Sequence, residues 1–332
     1  MKKVNTPEKS APKRQNEDIF IDSLLRPTCW EDYVGQDRVK QSLNVILSAA
    51  RKRKESPDHL LFYGQPGLGK TTLAHLVAKE MSANIKVTSG AALEKSGDLA
   101  ATLSNLEEKD ILFIDEAHRI NKSIEEILYP AMESRKIHLT VGKGLAGRML
   151  TIDIPQFTLI AATTRVNLLS SPLRARFGAI FQLDYYEIKD IKEIVKRSAN
   201  LMQIEINDDA VEIIARASRF TPRTANRLLK RARDFAEINN LKNINADIAK
   251  QALNLLEIDE LGLEPHDRRL LEIIIKKFRG GPVGVNALTA SLNEEKGIIE
   301  EIYEPYLMKI GLLERTPMGR MTTEEAKKHL KI

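Results

Sequence analysis

The chain has a single cysteine, Cys29, among 332 residues. One thiol excludes an intrachain disulfide and any zinc site built from several cysteines, and it suits a reducing compartment such as the cytoplasm. Six histidines are present, and none stands at metal-ligand spacing with cysteine or acidic residues. No apolar run approaches the roughly 18 residues of a membrane-spanning helix, so no membrane span is expected. The opening MKKVNTPEKSAPKRQNED lacks the apolar stretch of a secretory signal. Residues 1–18 read as a disordered, mildly basic tail. A large charge excess is missing as well: 51 Lys and Arg against 46 Asp and Glu leave a net +5. That balance permits nucleic-acid binding without requiring it. Function must therefore be sought in local motifs.

Apolar residues make up 42% of the chain, enough for true cores, and the length favours two or three domains. Residues 19–186 alternate short apolar runs with helical segments. HLLFYG (59–64), DILFID (110–115) and FTLIAATT (157–164) are strands of the buried type, as in a parallel sheet flanked by helices. Residues 187–257 carry apolar residues at three- and four-residue spacing throughout, which predicts an all-helical domain. Residues 258–332 read as three helices followed by LLERTPMGRMTT, a strand, turn and strand. That is the order of a winged helix, a frequent DNA-binding module.

GQPGLGKT (64–71) fits the phosphate-loop pattern and lies between a predicted strand and a predicted helix. Glycines there let backbone N–H groups close around phosphate oxygens, and the helix N-terminus adds its dipole. Lys70 is placed to reach the β- and γ-phosphates of ATP and Thr71 to ligate Mg²⁺. ILFIDEAHR (111–119) ends a buried strand in two acids, where open α/β sheets bind ligands. Asp115 is expected to hold Mg²⁺ through water, and Glu116 to orient the attacking water. DEAH is also the signature of a helicase superfamily with two stacked ATPase cores, which a chain with one phosphate loop cannot supply. Ala117 and His118 are read as helix residues, with His118 structural. Thr163 or Thr164, at the end of the third strand, is a candidate to sense the γ-phosphate; the residues alone do not choose between them.

Taken together, the chain resembles the AAA+ ATPases and, more narrowly, the bacterial RuvB family of Holliday-junction branch-migration motors. The resemblance runs over nearly all of 19–330. It is carried by LLRPTCWEDYVGQ, GLGKTTLA, FIDEAHRI, LYPAMES, FTLIAATTR, SSPLRARFG, FTPRTANRLLKRARDFA, GGPVGVNALTASLNEEKGIIEEIYEPYL and GLLERTPMGR. It implies that Leu25 and Arg26, with the YVGQ segment, frame the nucleotide base. Gly67, Gly69, Lys70, Thr71 and Thr72 wrap the phosphates, and Thr163–Thr164 falls at the sensor-1 position. Tyr186 contacts nucleotide, and Arg223 matches sensor 2, reaching the γ-phosphate from the small domain. Glu133, Ser134 and Arg135 fall at nucleotide contacts near a subunit boundary. Arg176 matches the arginine finger, which completes a neighbouring subunit's site, so the resemblance implies a homo-hexameric ring. Arg174 reads as a structural or interface residue. Gln65, Ala117 and Ala161 depart from the common pattern without removing a catalytic group.

The same resemblance assigns Arg315 and Arg320, on either side of TPMG, to the DNA backbone. Met318 stands where a third arginine is common. RKIHLTVGKGLAGRMLTIDIP (135–155) alternates around a Gly-rich turn and reads as a hairpin with Leu145 and Ala146 exposed at its tip. In the family this hairpin docks RuvA, and a RuvC-type resolvase joins the larger assembly on Holliday-junction and duplex DNA. The basic run 216–234 is open to nucleotide sensing, solubility or DNA contact. The expected activity is ATP hydrolysis of the helicase or translocase kind, serving recombination and repair. A clamp-loader subunit is the alternative, but its finger motif reads Ser-Arg-Cys and its C-terminal part is a helical collar. A protein unfoldase would need an aromatic–hydrophobic–glycine pore loop, and none is evident.

Overall fold

A computed structural model of the chain describes residues 24–141 and 148–332. The expected tail at 1–18 and the hairpin tip with Leu145 and Ala146 lie outside the described residues. The structure divides into two compact units: residues up to Asp190 with Thr221–Arg223, and Ile191–Phe220 with Thr224–Ile332.

The first unit is built on the three apolar runs. They form β1 (Leu60–Tyr63), β3 (Ile111–Asp115) and β6 (Thr158–Thr163). Nearly every residue in them is buried, as expected for strands covered on both faces. With β2 (Ile85–Ser89) and β7 (Ala179–Gln182) they make one sheet in the order β2-β3-β6-β1-β7. All of its pairings are parallel. Register sets Tyr63 beside Thr163 and Ile114 beside Ala161, so the carboxyl ends of β1, β6 and β3 lie together. Helices α1 (Asp37–Arg53), α2 (Lys70–Glu80), α3 (Ser96–Ser104) and α4 (Lys122–Ser134) flank it. Leu61, Leu112, Ile114 and Leu159 pack with Leu99, Leu103, Ile124 and Leu128 in one apolar cluster. The expected hairpin is present as β4 (Lys136–Val141) and β5 (Arg148–Asp153), paired antiparallel. Short helix α5 (Ser171–Arg174) lies between β6 and β7.

In the second unit, α6 (Ile188–Leu201), α7 (Asp208–Arg216), α8 (Pro222–Ile238) and α9 (Ala246–Leu255) form the helical lid. Two-residue strands β8 (Glu205–Ile206) and β9 (Asn243–Ile244) pair beside them. The winged helix follows: α10 (Pro265–Phe278), α11 (Val285–Leu292), a helical stretch over 296–309, then the antiparallel hairpin β10 (Leu313–Thr316) and β11 (Gly319–Thr322). Leu270, Ile274, Leu288, Leu307 and Leu313 form its core. Lid and head, expected as separate domains, are joined within this unit. Arg219 pairs with Asp267 at 2.8 Å and lies 4.4 Å over the Tyr306 ring. Arg227 pairs with Glu264 at 2.6 Å.

Candidate active site

The phosphate loop leaves β1 in a conformation only glycine adopts without strain. Gly67 and Gly69 have φ of 81° and 96°. A side chain at Gly69 would bring its Cβ to 2.8 Å from the Tyr33 hydroxyl, and one at Gly67 to 3.0 Å from the Arg223 Cβ. Gly69 is also the N-cap of α2 and supplies no side-chain acceptor, so the first-turn N–H groups are left for an anion. Thr71 and Thr72 lie in that turn, half-buried. Lys70 is only 8% exposed. Its Nζ donates to the carbonyls of Gly64 and Gln65 at 2.8 and 2.9 Å, closing the loop on itself. Burial lowers its pKa from 10.5 to about 8, against the opposing pull of Asp115 and Glu116.

At the end of β3, Asp115 accepts a hydrogen bond from the Thr71 hydroxyl at 3.3 Å through one carboxylate oxygen. Its other oxygen accepts the Glu116 N–H at 2.9 Å. No cluster of three His, Cys, Asp or Glu able to hold a metal occurs among the described residues. A hydroxyl beside a carboxylate at a phosphate loop is instead the small hard-oxygen set that Mg²⁺ uses when phosphates and water complete its shell, so these residues fit that ion. Glu116 follows at φ 51°, a left-handed conformation unusual for a side-chain-bearing residue. Gly90 makes room for it: a Cβ there would stand 2.5 Å from the Glu116 carbonyl oxygen. The turn Ala117–Arg119 then folds His118 back. His118 Nδ1 is 2.9 Å from Thr163 Oγ1 and Nε2 is 3.4 Å from Glu116 Oε2. Sequence reasoning treated this histidine as structural and missed the bridge. Thr163 is fully buried and also accepts the Arg165 N–H at 2.9 Å. Thr164 is half-buried.

Leu25 is buried, and Arg26 lies near enough to His75 to lower that imidazole's pKa further after burial has done so. Tyr186 is buried: its hydroxyl donates to the Leu68 carbonyl at 3.3 Å and lies 3.2 Å from the Tyr33 hydroxyl. Burial pushes its pKa up to about 12. Its ring presses on Gly35, where a Cβ would be 2.8 Å away. Tyr33, which the sequence reading covered only as part of YVGQ, thus packs between Tyr186 and the phosphate loop.

Arg176 belongs to a different cluster. Ser170 caps α5 by accepting the Leu173 N–H at 3.2 Å. Its Oγ is 2.9 Å from the hydroxyl of Tyr129, which also donates to Glu125 at 3.2 Å. The Arg176 guanidinium lies 4.4 Å over the Tyr129 ring, donates to the Pro172 carbonyl at 2.8 Å and pairs with Glu133 at 3.0 Å. Glu133, Arg135 and Arg176 line one pocket of about 320 Å³ with Asp58, His59 and Gly178. Ser134 turns back to the Pro130 carbonyl at 2.9 Å. Gly178 is forced by packing: a Cβ would meet the Asp58 Cβ at 2.4 Å. Arg174 donates to Ser171 at 3.2 Å and does not line this pocket.

In the head, the two wing arginines part company. They are cross-strand partners in the hairpin, but only Arg315 is exposed, at 56% of its side chain. Arg320 is buried and paired with Glu304 at 2.6 Å and Glu300 at 2.9 Å. Arg320, expected at the DNA backbone, is thus held by two carboxylates within the domain, and Arg315 is the more exposed of the pair. Met318, at the turn, is 80% exposed. Within the basic run 216–234, Arg216 pairs with Glu212, and Arg231 and Arg233 share Asp234.

A sheet of this order, with the phosphate loop after β1, the acid pair after β3 and a helical lid, defines an AAA+ P-loop ATPase. Comparison with known proteins narrows the class. Residues 25–183 match the Holliday junction DNA helicase RuvB P-loop domain, 186–259 the RuvB AAA lid domain, and 260–331 the RuvB C-terminal winged helix domain. The chain is 51% identical over 320 residues to the Holliday junction branch migration complex subunit RuvB of Dehalococcoides mccartyi (strain CBDB1), covering 96% of this chain and 92% of that protein. The Thermotoga maritima RuvB Holliday junction branch migration motor superposes with a TM-score of 0.85 at 52% identity, covering 93% of this chain and 98% of that one. A variant of the same Thermotoga protein gives 0.86 at 52% identity, with coverage of 92% and 98%. The chain belongs to the RuvB family. The clamp-loader alternative falls away, since lid and head both match RuvB domains. Among the described residues no helix is long and apolar enough to cross a membrane.

Proposed function

We propose that this chain is an ATP-driven motor for Holliday-junction branch migration, working in the cytoplasm as a hexameric ring on duplex DNA with RuvA, and with a RuvC-type resolvase in a larger assembly. The carrying observation is the separation of two clusters. Lys70, Thr71, Asp115, Glu116, Thr163 and Arg223 gather around the phosphate loop. The finger arginine stands apart in a pocket with Glu133 and Arg135. A chain built this way offers most of a hydrolytic site in one place and the missing cation in another, which suits a head-to-tail ring.

In the reaction, Lys70 leaves the Gly64 and Gln65 carbonyls and binds the β- and γ-phosphates of ATP. Thr71 and Asp115 would hold Mg²⁺, which would supply positive charge against that developing on the phosphate oxygens. Glu116 orients water in line with the γ-phosphorus. Thr163 commits its hydroxyl to His118 and accepts from Arg165, so Thr164 is assigned the sensor role. Arg223 approaches the γ-phosphate beside Gly67. Tyr186 holds the loop from behind, and Leu25 and Arg26 flank the base. Arg176 of one subunit completes the site of the next. Arg315 is assigned to DNA phosphate. The hairpin 135–155, with Leu145 and Ala146, is assigned to RuvA. Met149 and Leu150, on β5 of that hairpin, are exposed (73% and 48%). The deciding experiment is steady-state phosphate release with four-way junction, linear duplex or unfolded protein, with and without RuvA. Stimulation by junction DNA with RuvA supports the motor; stimulation only by unfolded protein contradicts it.

A further inference from the structure

His118 stands at a junction that the phosphate chemistry alone does not require. Its side chain is 9% exposed and lies between Thr163 Oγ1, at the end of β6, at 2.9 Å and Glu116 Oε2, just after β3, at 3.4 Å. The hydrogen-bond polarity follows from donor arithmetic. A carboxylate can only accept, so Glu116 calls for an N–H at Nε2, and the tautomer protonated there leaves Nδ1 to accept the Thr163 hydroxyl proton while the same oxygen accepts the Arg165 N–H. The proton of a neutral imidazole then sits on Nε2, facing the Glu116 carboxylate. At 3.4 Å this contact orients the carboxylate without locking it, and Glu116 keeps 45% of its side chain exposed toward solvent. Arg165 is the first residue after the threonine pair and opens the segment that runs through α5 to Arg176.

We infer that His118 is a positioning residue for hydrolysis, aiming the Glu116 carboxylate and tying it through Thr163 to the root of the finger-bearing segment. The inference rests on Glu116 acting on the attacking water. The oriented imidazole keeps the carboxylate directed. The Thr163 and Arg165 links make its aim depend on how the end of β6 is held.

The test measures phosphate release, nucleotide affinity and melting temperature in the full-length chain with junction DNA. His118→Phe preserves ring volume and removes the Thr163 and Glu116 contacts. kcat is expected to fall about 10–100-fold, the range for a catalytic group that has lost its orientation. KM and the affinity for a fluorescent ADP analogue should stay within about twofold, since only a transition-state contact is removed. His118→Gln, whose amide reaches the Nε2 position, should recover most of the rate. His118→Asn, which reaches only the Nδ1 position, should not. Thr163→Val should cost little more when added to His118→Phe than His118→Phe costs alone, because the two act through one connection. Unchanged kcat in His118→Phe, equal rates for Gln and Asn, or fully additive losses would overturn the inference. If His118→Phe fails to fold, the Gln and Asn pair decides. Glu116→Gln is the separate control: if it hydrolyses ATP normally, the reading of Glu116 fails rather than that of His118.

Discussion

Replacing Arg176 by alanine separates folding from catalysis. Within its own chain the guanidinium makes a cation–π contact with Tyr129, a bond to the Pro172 carbonyl and a pair with the half-exposed Glu133. A cation–π contact near the surface contributes about 0.5–1 kcal/mol and an exposed pair about 0–1. With the carbonyl bond at about 1 kcal/mol, truncation should cost roughly 1.5–3 kcal/mol of stability. An arginine finger contributes about 10³–10⁵ in rate, or roughly 4–7 kcal/mol of barrier. Arg176→Ala should therefore stay folded and bind nucleotide while phosphate release on junction DNA falls at least about 10³-fold. Mixing sharpens the result. A Glu116→Gln subunit keeps its finger and loses its own water-orienting acid; an Arg176→Ala subunit does the reverse. In rings assembled from equal amounts, about a quarter of sites join an intact acid to a neighbour's intact arginine, so activity should return to about that fraction. Near-normal hydrolysis by Arg176→Ala alone, or no recovery on mixing with confirmed co-assembly, would refute the argument.

The wing gives a second contrast. Arg315→Ala should weaken duplex binding and lower the slope of log K against log salt by about 0.9, one phosphate contact. Arg320→Ala strands buried Glu304 and should cost about 3–5 kcal/mol, seen as a lower melting temperature of the head. A normally stable Arg320→Ala chain with a lost salt slope would reverse the two roles. For Lys70, burial disfavours the charged form and leaves a pKa of about 8, while phosphates favour it. Nucleotide binding near pH 8 should take up a proton, and affinity should fall as pH rises through that value; calorimetry in buffers of different ionisation enthalpy would show no difference if Lys70 were already fully charged.

The parts of this molecule legible in the sequence are those whose chemistry is local. A glycine-rich loop between strand and helix, two acids closing an apolar run and a Pro-Met-Gly turn each state their geometry within a few residues. The missed features depend on distant partners. His118 meets Thr163 across 45 positions, and only because Glu116 adopts a left-handed conformation that Gly90 permits. Arg315 and Arg320 look equivalent around their turn. Which one faces solvent is decided by Glu300 and Glu304, on the helical stretch packed behind the hairpin. Thr163 and Thr164 look alike as letters; the structure buries Thr163 against His118 and leaves Thr164 half-buried. Tyr33 carried no motif of its own, yet its hydroxyl stands 2.8 Å from where a Cβ on Gly69 would lie.

The central claim is that ATP hydrolysis by this chain moves a four-way junction. The most direct measurement follows a synthetic junction with homologous arms, incubated with the chain and RuvA, as it resolves into two duplexes. The account predicts rapid conversion with ATP and Mg²⁺, and none with Glu116→Gln or with a non-hydrolysable analogue. Conversion at the same rate without hydrolysis, or ATP turnover that leaves the junction in place, would contradict it.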